Sequence, residues 1–303
     1  MIKRKNIRSL SQDERNDFVN AVLKLKSIGI YDKYTELHQE AMMMQSGGFE
    51  KNLAHYGPIF LPWHREYLRR FEKDLNFFSQ RTDLFIPYWD WTEDFENPQE
   101  SPLWKDEFMG GNGVKEKEYL VTSGRFSHWG LSRQFGPKKI FGLRKLTLPE
   151  KKEIEGLMNV ITYDTPEWNT SSLGSFRNLL EGSRTISRRA EPETHNRVHL
   201  WVGGDMSSEG SPSDPIFYLH HSNIDRIWAS WQNKHFKNRL SDSYLPREPI
   251  SEQGRILKGH SINEYMFPWV ENNQISEGLR SGKVTIQCVL DHEKLGYSYE
   301  VYE

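Results

Sequence analysis

The sequence predicts a mainly α fold with long loops and minor β-strands, running over residues 1–303 as a single domain. Three observations predict it. Apolar residues recur at helical spacing in several capped segments. A Gly-, Pro- and charge-rich stretch from about 93 to 165 separates two such blocks. No repeat, low-complexity run or linker divides the 303 residues, a length that buries a substantial core.

The elements follow in order. Ser11 and Glu14 form a capping-box pattern, and Phe18, Val22 and Leu25 continue it to a stop at Gly29. A second helix is predicted from Asp32 to Met44, with Tyr34, Leu37, Ala41 and Met44 on one side; Ser46-Gly47-Gly48 breaks it. A third runs from Pro62 to Phe78, with Pro tolerated in the first turn and Leu68, Phe71 and Leu75 as its apolar stripe. Phe85-Ile86-Pro87-Tyr88-Trp89-Asp90-Trp91 is too short and aromatic for a helix and reads as an extended segment beneath the core. The 93–165 region reads as loops with minor strands, of the kind that build binding walls. Helices return over Ser172–Glu181, stopped by Gly182, and over Pro192–Trp201, stopped by Gly203-Gly204. A strong helix begins with the cap Ser213-Asp214-Pro215 and reaches His235. The tail from Lys283 alternates like a strand.

Composition narrows the function. A net charge of −2 gives no electrostatic reason to expect nucleic acid or an anionic membrane as partner. The single cysteine, Cys288, excludes an internal disulfide framework and any multi-thiolate zinc site. A metal would have to rely on histidine, carboxylate or carbonyl. The basic N-terminus is not followed by an apolar run, so a cytoplasmic location is expected, with a non-standard secretion route left open.

The histidines carry the chemical information. His195 and His199 are four apart in a helical segment and so share a face. His221 lies on the next helix, His38 on the second, His64 early on the third, and His55 in the loop before it. Six histidines thus fall into two groups of three, on helices of the kind that build metal sites from inward-facing side chains. His195-Asn196-Arg197-Val198-His199 lacks the glutamate of a zinc-protease HExxH. An iron site of two histidines and a carboxylate stays open on residue type alone. Two all-histidine sites favour copper, because neutral imidazoles leave Cu(I) accessible.

Two segments then carry a family resemblance. His55 with Phe60-Leu61-Pro62-Trp63-His64-Arg65, Leu68 and Glu72 resembles the first copper signature of tyrosinases. Asp214-Pro215-Ile216-Phe217-Tyr218-Leu219-His220-His221 with Asp225 resembles the second. The similarity is to short, single-domain bacterial members. It extends to Pro87-Tyr88-Trp89, Phe108-Met109-Gly110-Gly111-Asn112-Gly113 and Leu295-Gly296-Tyr297-Ser298-Tyr299.

The resemblance implies a central antiparallel four-helix bundle holding two copper ions of the type-3 kind, with no C-terminal blocking domain. It implies that His38, His55 and His64 bind the first copper and His195, His199 and His221 the second. His220 becomes a neighbour of the ligands, and Asp225 is expected to orient a ligand imidazole. Glu181 matches the family's water-holding glutamate and Asn196 its partner, the pair that would deprotonate an incoming phenol. The implied activity is O2-dependent ortho-hydroxylation of monophenols and oxidation of o-diphenols to o-quinones, for melanin-type pigment.

Several features depart from the family or bear on rival functions. No cysteine near His55 can form the Cys–His thioether of fungal and plant relatives. Leu200 stands where some bacterial members carry Arg, and the Ser207–Ser213 loop replaces a short apolar gate. Its Glu209 would either disfavour carboxylated substrates or simply face solvent. A copper-delivery helper and a homodimer are the partner expectations beyond phenolic substrate and O2. The rivals are a catechol or o-aminophenol oxidase without monophenolase activity, an O2 carrier, and a dinuclear zinc hydrolase, which would want bridging carboxylates.

Overall fold

The computed structural model describes residues 1–43, 53–136, 139–140, 144–182, 185–186, 189–190, 193–252, 255–270 and 278–300. Helix α1 (Gln12–Ser27) begins where the capping box places it: Ser11 accepts from the Glu14 N–H, and the Glu14 carboxylate accepts from the Ser11 N–H at 2.9 Å. Phe18, Val22 and Leu25 are buried. Helix α2 (Ile30–Met43) starts two residues before the predicted position; Met44 and the expected break at Ser46-Gly47-Gly48 lie outside the described residues. Helix α3 (Phe60–Ser79) also starts two residues early and buries a whole flank from Phe60 through Leu75.

The 93–165 region contains what its composition predicts, short 3-10 turns and the antiparallel hairpin β2 (Lys139–Ile140) and β3 (Arg144–Lys145). It also contains a helix the sequence reading missed, α4 (Lys151–Leu157), in which only Leu157 is buried. Helix α5 (Phe176–Glu181) is shorter than expected because Ser175, not Ser172, is its N-cap. A second hairpin, β4 (Thr185–Ile186) with β5 (Arg189–Ala190), fills the interval to α6 (Thr194–Val202). The predicted start of α6 at Pro192 lies outside the described residues. Helix α7 (Ile216–Phe236) follows, then the hairpin β6 (Ile250–Glu252) and β7 (Arg255–Leu257).

The tail corrects the sequence reading. Residues Ile286–Val289 form a 3-10 turn, and among the described residues of the tail only β8 (Tyr297–Tyr299) is a strand. Its partner is β1 (Ile2–Arg4), in parallel, with Lys3 opposite Ser298. The Phe85–Trp91 segment runs extended as expected. Tyr88 exchanges backbone hydrogen bonds with Lys5 and Ile7, and the Trp89 N–H donates to the Leu219 carbonyl on α7.

The core is aromatic. Seven of the ten Trp rank among the largest fully buried side chains. Helix α3 packs on α1 and α7. At the α3–α7 contact Phe71 stacks on Tyr218 with centroids 3.6 Å apart, and Tyr67 lies parallel to Tyr218. Helix α6 leans mainly on α5 and on the turn Gly204–Ser207, so the four histidine-bearing helices are not one evenly packed bundle. Among the described residues no helix is long and apolar enough to cross a membrane.

Candidate metal centre

The α3–α7 contact that stacks Phe71 on Tyr218 also brings His64 onto His221, ring centroids 4.3 Å apart and nearly parallel. Around that pair the histidines gather in two clusters. In the first, His38 from α2, His55 from the loop and His64 from α3 each place a ligand nitrogen within 4.8 Å of the others, and all three are buried. In the second, the Nε2 of His221 lies 3.2 Å from Nε2 of His195 and 3.3 Å from Nε2 of His199. His55 and His195 face each other with centroids 6.3 Å apart, so the clusters border one space.

The outer nitrogens decide which atom each imidazole turns inward. A carbonyl oxygen only accepts, so a ring nitrogen facing one must carry the proton. His64 Nδ1 donates to its own helix at Phe60 over 2.8 Å. His38 Nδ1 donates to the Glu209 carbonyl over 2.9 Å, and His199 Nδ1 to the Met206 carbonyl over 2.6 Å. His195 Nδ1 meets Asn196 Oδ1 at 2.9 Å and the Glu181 carbonyl at 3.3 Å. These imidazoles therefore keep an unprotonated Nε2 lone pair, as metal-binding histidines normally do. His38 Nε2 and His64 Nε2 are buried without a hydrogen-bond partner. Buried lone pairs converging without protons between them are costly unless a cation takes them. The donor set, six imidazoles with no carboxylate grouped with them among the described residues, fits two soft-to-borderline ions such as copper.

Burial holds these rings neutral. It pushes His38 down to about 3 and His199 down to about 4, while His55, His64, His195 and His221 lie well below the ordinary histidine value for the same reason. Mutual repulsion among the clustered rings adds to this for all but His199.

His220 shares the second cluster but is arranged differently. Its Nδ1 accepts from Trp91 Nε1 at 3.2 Å, and its ring stacks on His195. The Nε2 that meets the other two histidines belongs to His221.

Asp225 requires a correction. It was expected to orient a ligand imidazole, and it sits one helical turn beyond His221. Its Oδ1 instead accepts from Arg65 Nε at 2.5 Å. Its Oδ2 accepts from Tyr297 at 2.6 Å, Tyr299 at 2.5 Å and Arg4 at 3.3 Å. Two guanidiniums and two phenols out-compete any histidine for this buried carboxylate. Arg4 also binds Glu72 at 2.9 Å, so both chain ends are tied to α3 and α7 beneath the ligands. Sequence reading quoted Arg65 and Glu72 within a motif without a task for them.

Glu181 is fully buried at the end of α5. Its Oε1 accepts from the Tyr56 backbone N–H at 2.5 Å, and its Oε2 from Arg177 at 3.0 Å. Burial pushes its carboxyl up to about 7, against the opposing pull of the Arg177 guanidinium and the Tyr56 N–H. Arg177 also pairs with the buried Asp164 at 2.7 Å, a contact sequence reading did not anticipate.

The Ser207–Ser213 loop, read in the sequence as an altered gate, belongs to the ligand shell through its backbone. The turn from Gly204 to Ser213 supplies the Met206 carbonyl to one cluster and the Glu209 carbonyl to the other. A carbonyl acceptor leaves no trace in residue type, which is why the sequence shows only the loop's polar character. The Glu209 side chain is exposed, and Leu200 packs half-buried against the core.

Comparison with known proteins agrees with this geometry. Residues 28–234 match the family model for the common central domain of tyrosinase. The tyrosinase of Streptomyces antibioticus is 36% identical over 309 residues, covering 99% of this chain and all of that protein. The tyrosinase of Streptomyces glaucescens is 36% identical, over 89% of this chain and 93% of its own. The grixazone synthase of Streptomyces griseus is 38% identical over 88% of this chain and 92% of its own. Among solved structures, a polyphenol oxidase from Thermothelomyces thermophila superimposes with a TM-score of 0.67 at 22% identity, over 99% of this chain and 89% of that one. An octopus hemocyanin unit gives 0.60 at 21%, over the whole of this chain and 69% of that one. These two show a shared fold. A family match over two thirds of the chain, full-length relatives above 30% identity and six inward-facing imidazoles lead to one conclusion: the chain belongs to the tyrosinase family.

Proposed function

We propose that this protein is a copper-dependent tyrosinase that hydroxylates monophenols ortho to their oxygen and oxidises o-diphenols to o-quinones. The observation that carries the reading is the pair of facing histidine triads, neutral and turned inward, in a chain 36% identical to tyrosinases along its whole length. His38, His55 and His64 would hold one copper and His195, His199 and His221 the other. When bound, the two copper ions supply the O2 chemistry.

The protein's own residues supply position and proton handling. A phenol has a pKa of about 10, so it needs a base before it can bind metal as phenolate at neutral pH. Glu181 is that base, acting through a water shared with Asn196. Its carboxyl near 7 suits proton transfer around neutrality. The Glu181 carbonyl and Asn196 Oδ1 both approach His195 Nδ1, which sets the two residues at the outer edge of the same ligand. The buried rings of Phe60 and Phe217, packed against ligand histidines, limit water around the site. The main core cluster, which runs from Ile7 to Leu290, supports a chain that works as one unit.

The test is O2 uptake and quinone absorbance of copper-loaded protein with L-tyrosine and, separately, L-DOPA. Quinone from both, lost in His199→Ala, is expected. Turnover of L-DOPA alone makes the protein a catechol oxidase. Turnover of neither, with two coppers bound, overturns the enzymatic reading.

A further inference from the structure

We propose that Arg177 is a positioning residue for the monophenol step, and that it fixes the Glu181 carboxylate against the turn that carries His55. The inference rests on the reading of Glu181 as the base and names what holds that base in place.

A glutamate at the last position of a short helix is poorly oriented by its backbone alone, because the torsion that turns its carboxylate has only a broad, two-fold preference. Here both oxygens are held. Oε1 accepts from the Tyr56 N–H at 2.5 Å, and Oε2 accepts from Arg177 Nη1 at 3.0 Å. One donor comes from the residue after His55. The other comes from α5 itself, where Arg177 stands four residues before Glu181 on the same face. Each carboxylate oxygen keeps a further lone pair for a water or a proton, in a direction that these two hydrogen bonds set.

Arg177 is itself immobile. Its side chain is fully buried. Nε donates to Asp164 Oδ2 at 2.8 Å, and Nη2 lies 2.7 Å from the same oxygen. Nη2 also donates to the Asn169 carbonyl at 3.0 Å, and Nη1 to Asn178 Oδ1 at 3.3 Å. All three nitrogens are engaged at once, a use of the planar fork that a lysine cannot copy.

The loop at the far end of the fork is held too. Asn178 Nδ2 donates to the Thr170 and Ser172 carbonyls at 3.0 and 2.9 Å. Within that loop Glu167 and Trp168 carry φ of 39° and 52°, left-handed angles that persist in residues with a Cβ only where the surroundings impose them. The Trp168 carbonyl oxygen lies 3.5 Å from where a Cβ on Gly57 would stand, so the loop abuts the His55 turn. Arg177 is thus braced on one side by a strained loop and presents its remaining donor to Glu181 on the other.

The experiment measures kcat and KM of the copper-loaded full chain for L-tyrosine and L-DOPA in Arg177→Lys, which keeps the charge and loses the fork, alone and combined with Glu181→Gln. Expected in Arg177→Lys is a monophenol kcat lower by about tenfold or more with KM little changed, a diphenol kcat lower by less than about threefold, and copper fully bound. On the Glu181→Gln background the same substitution should add little, since a residue acting through Glu181 is not additive with its loss. Where Arg177→Lys does not fold, Arg177→Met with Asp164→Asn leaves neither member of that ion pair charged and should show the same selective loss. Equal loss with both substrates, loss confined to KM, an unchanged monophenol kcat, or full additivity with Glu181→Gln overturns the proposal. Monophenol turnover unaltered in Glu181→Gln itself instead overturns the reading of Glu181 as the base.

Discussion

The Glu181 carboxylate is bound to the Tyr56 backbone N–H at 2.5 Å, so the proposed base also fixes the residue that follows His55. Tyr56 needs that grip, because it holds a left-handed backbone angle, φ 59°, which a residue with a Cβ adopts at a cost. Glu181→Gln keeps an acceptor for Tyr56 and loses the charge. It should lower monophenol kcat by about a hundredfold and diphenol kcat by less than tenfold. Glu181→Ala loses the grip as well and should lower both, with copper released from the first site. Steady-state rates with L-tyrosine and L-DOPA, beside copper stoichiometry, separate the two variants.

Asp225 is the anionic centre of a buried cluster with Arg65, Arg4, Tyr297 and Tyr299. Asp225→Asn should destabilise the fold by about 3–5 kcal/mol, because the buried Arg65 loses its counter-charge and Arg4 one of its two. Burial alone would raise this carboxyl; Arg65, Arg4 and the two phenols outweigh it and hold the carboxyl below its ordinary value. A depressed acid stabilises the fold above its unfolded pKa, about 3.9, and that contribution disappears as pH falls through the lower, folded pKa. Urea unfolding of the wild type between pH 7 and pH 3 should therefore show stability falling below about pH 4. In Asp225→Asn the curve should start lower and slope less.

His199 contributes one of three converging Nε2 atoms, with its Nδ1 fixed by the Met206 carbonyl. His199→Ala should reduce bound copper from two ions toward one and abolish turnover of mono- and diphenols alike. Metal analysis after dialysis against a weak chelator reads the first, and O2 uptake the second. Two tightly held coppers in this variant would remove His199 from the ligand set.

Gly204 opens the turn that carries both carbonyl acceptors. Its φ is +55°, and a Cβ there would lie 2.0 Å from the Ser132 carbonyl oxygen, so backbone must move. Gly204→Ala should destabilise the protein by about 2 kcal/mol or more and weaken copper binding at both sites. Thermal unfolding and copper titration together would show it; loss of stability with unchanged copper affinity would mean the turn does not transmit to the ligands.

What the sequence revealed and what it hid divide along a physical line. The capping box at Ser11 and Glu14, the stripe Leu68–Phe71–Leu75 and the cap at Asp214-Pro215 are local signals, and the helices they announce are present. The six histidines were legible because their spacing places them on helix faces that meet. Helix α4 was missed because KKEIEGL is short, charged and nearly all outside the core. Strand β1 and the true partners of Asp225 were missed for another reason: their contacts come from the far end of the chain, at separations such as 221 and 295 residues. Spacing along α7 told that Asp225 lies on the inner face, but not that Arg4, Tyr297 and Tyr299 would arrive there.

The parallel pairing of β1 with β8 has a consequence for how the protein is made. Tyr299 leaves the ribosome 295 residues after Arg4, yet the two meet Tyr297 on one buried carboxylate. Contacts of such separation close late, after loop-closure entropy over nearly the whole chain has been met. The helices that carry His64 and His221 can form on the nascent chain, but the clasp beneath them locks only once Tyr297 and Tyr299 have followed. Copper is best taken up after that, by a chain in which Arg4 and Tyr299 have already found each other.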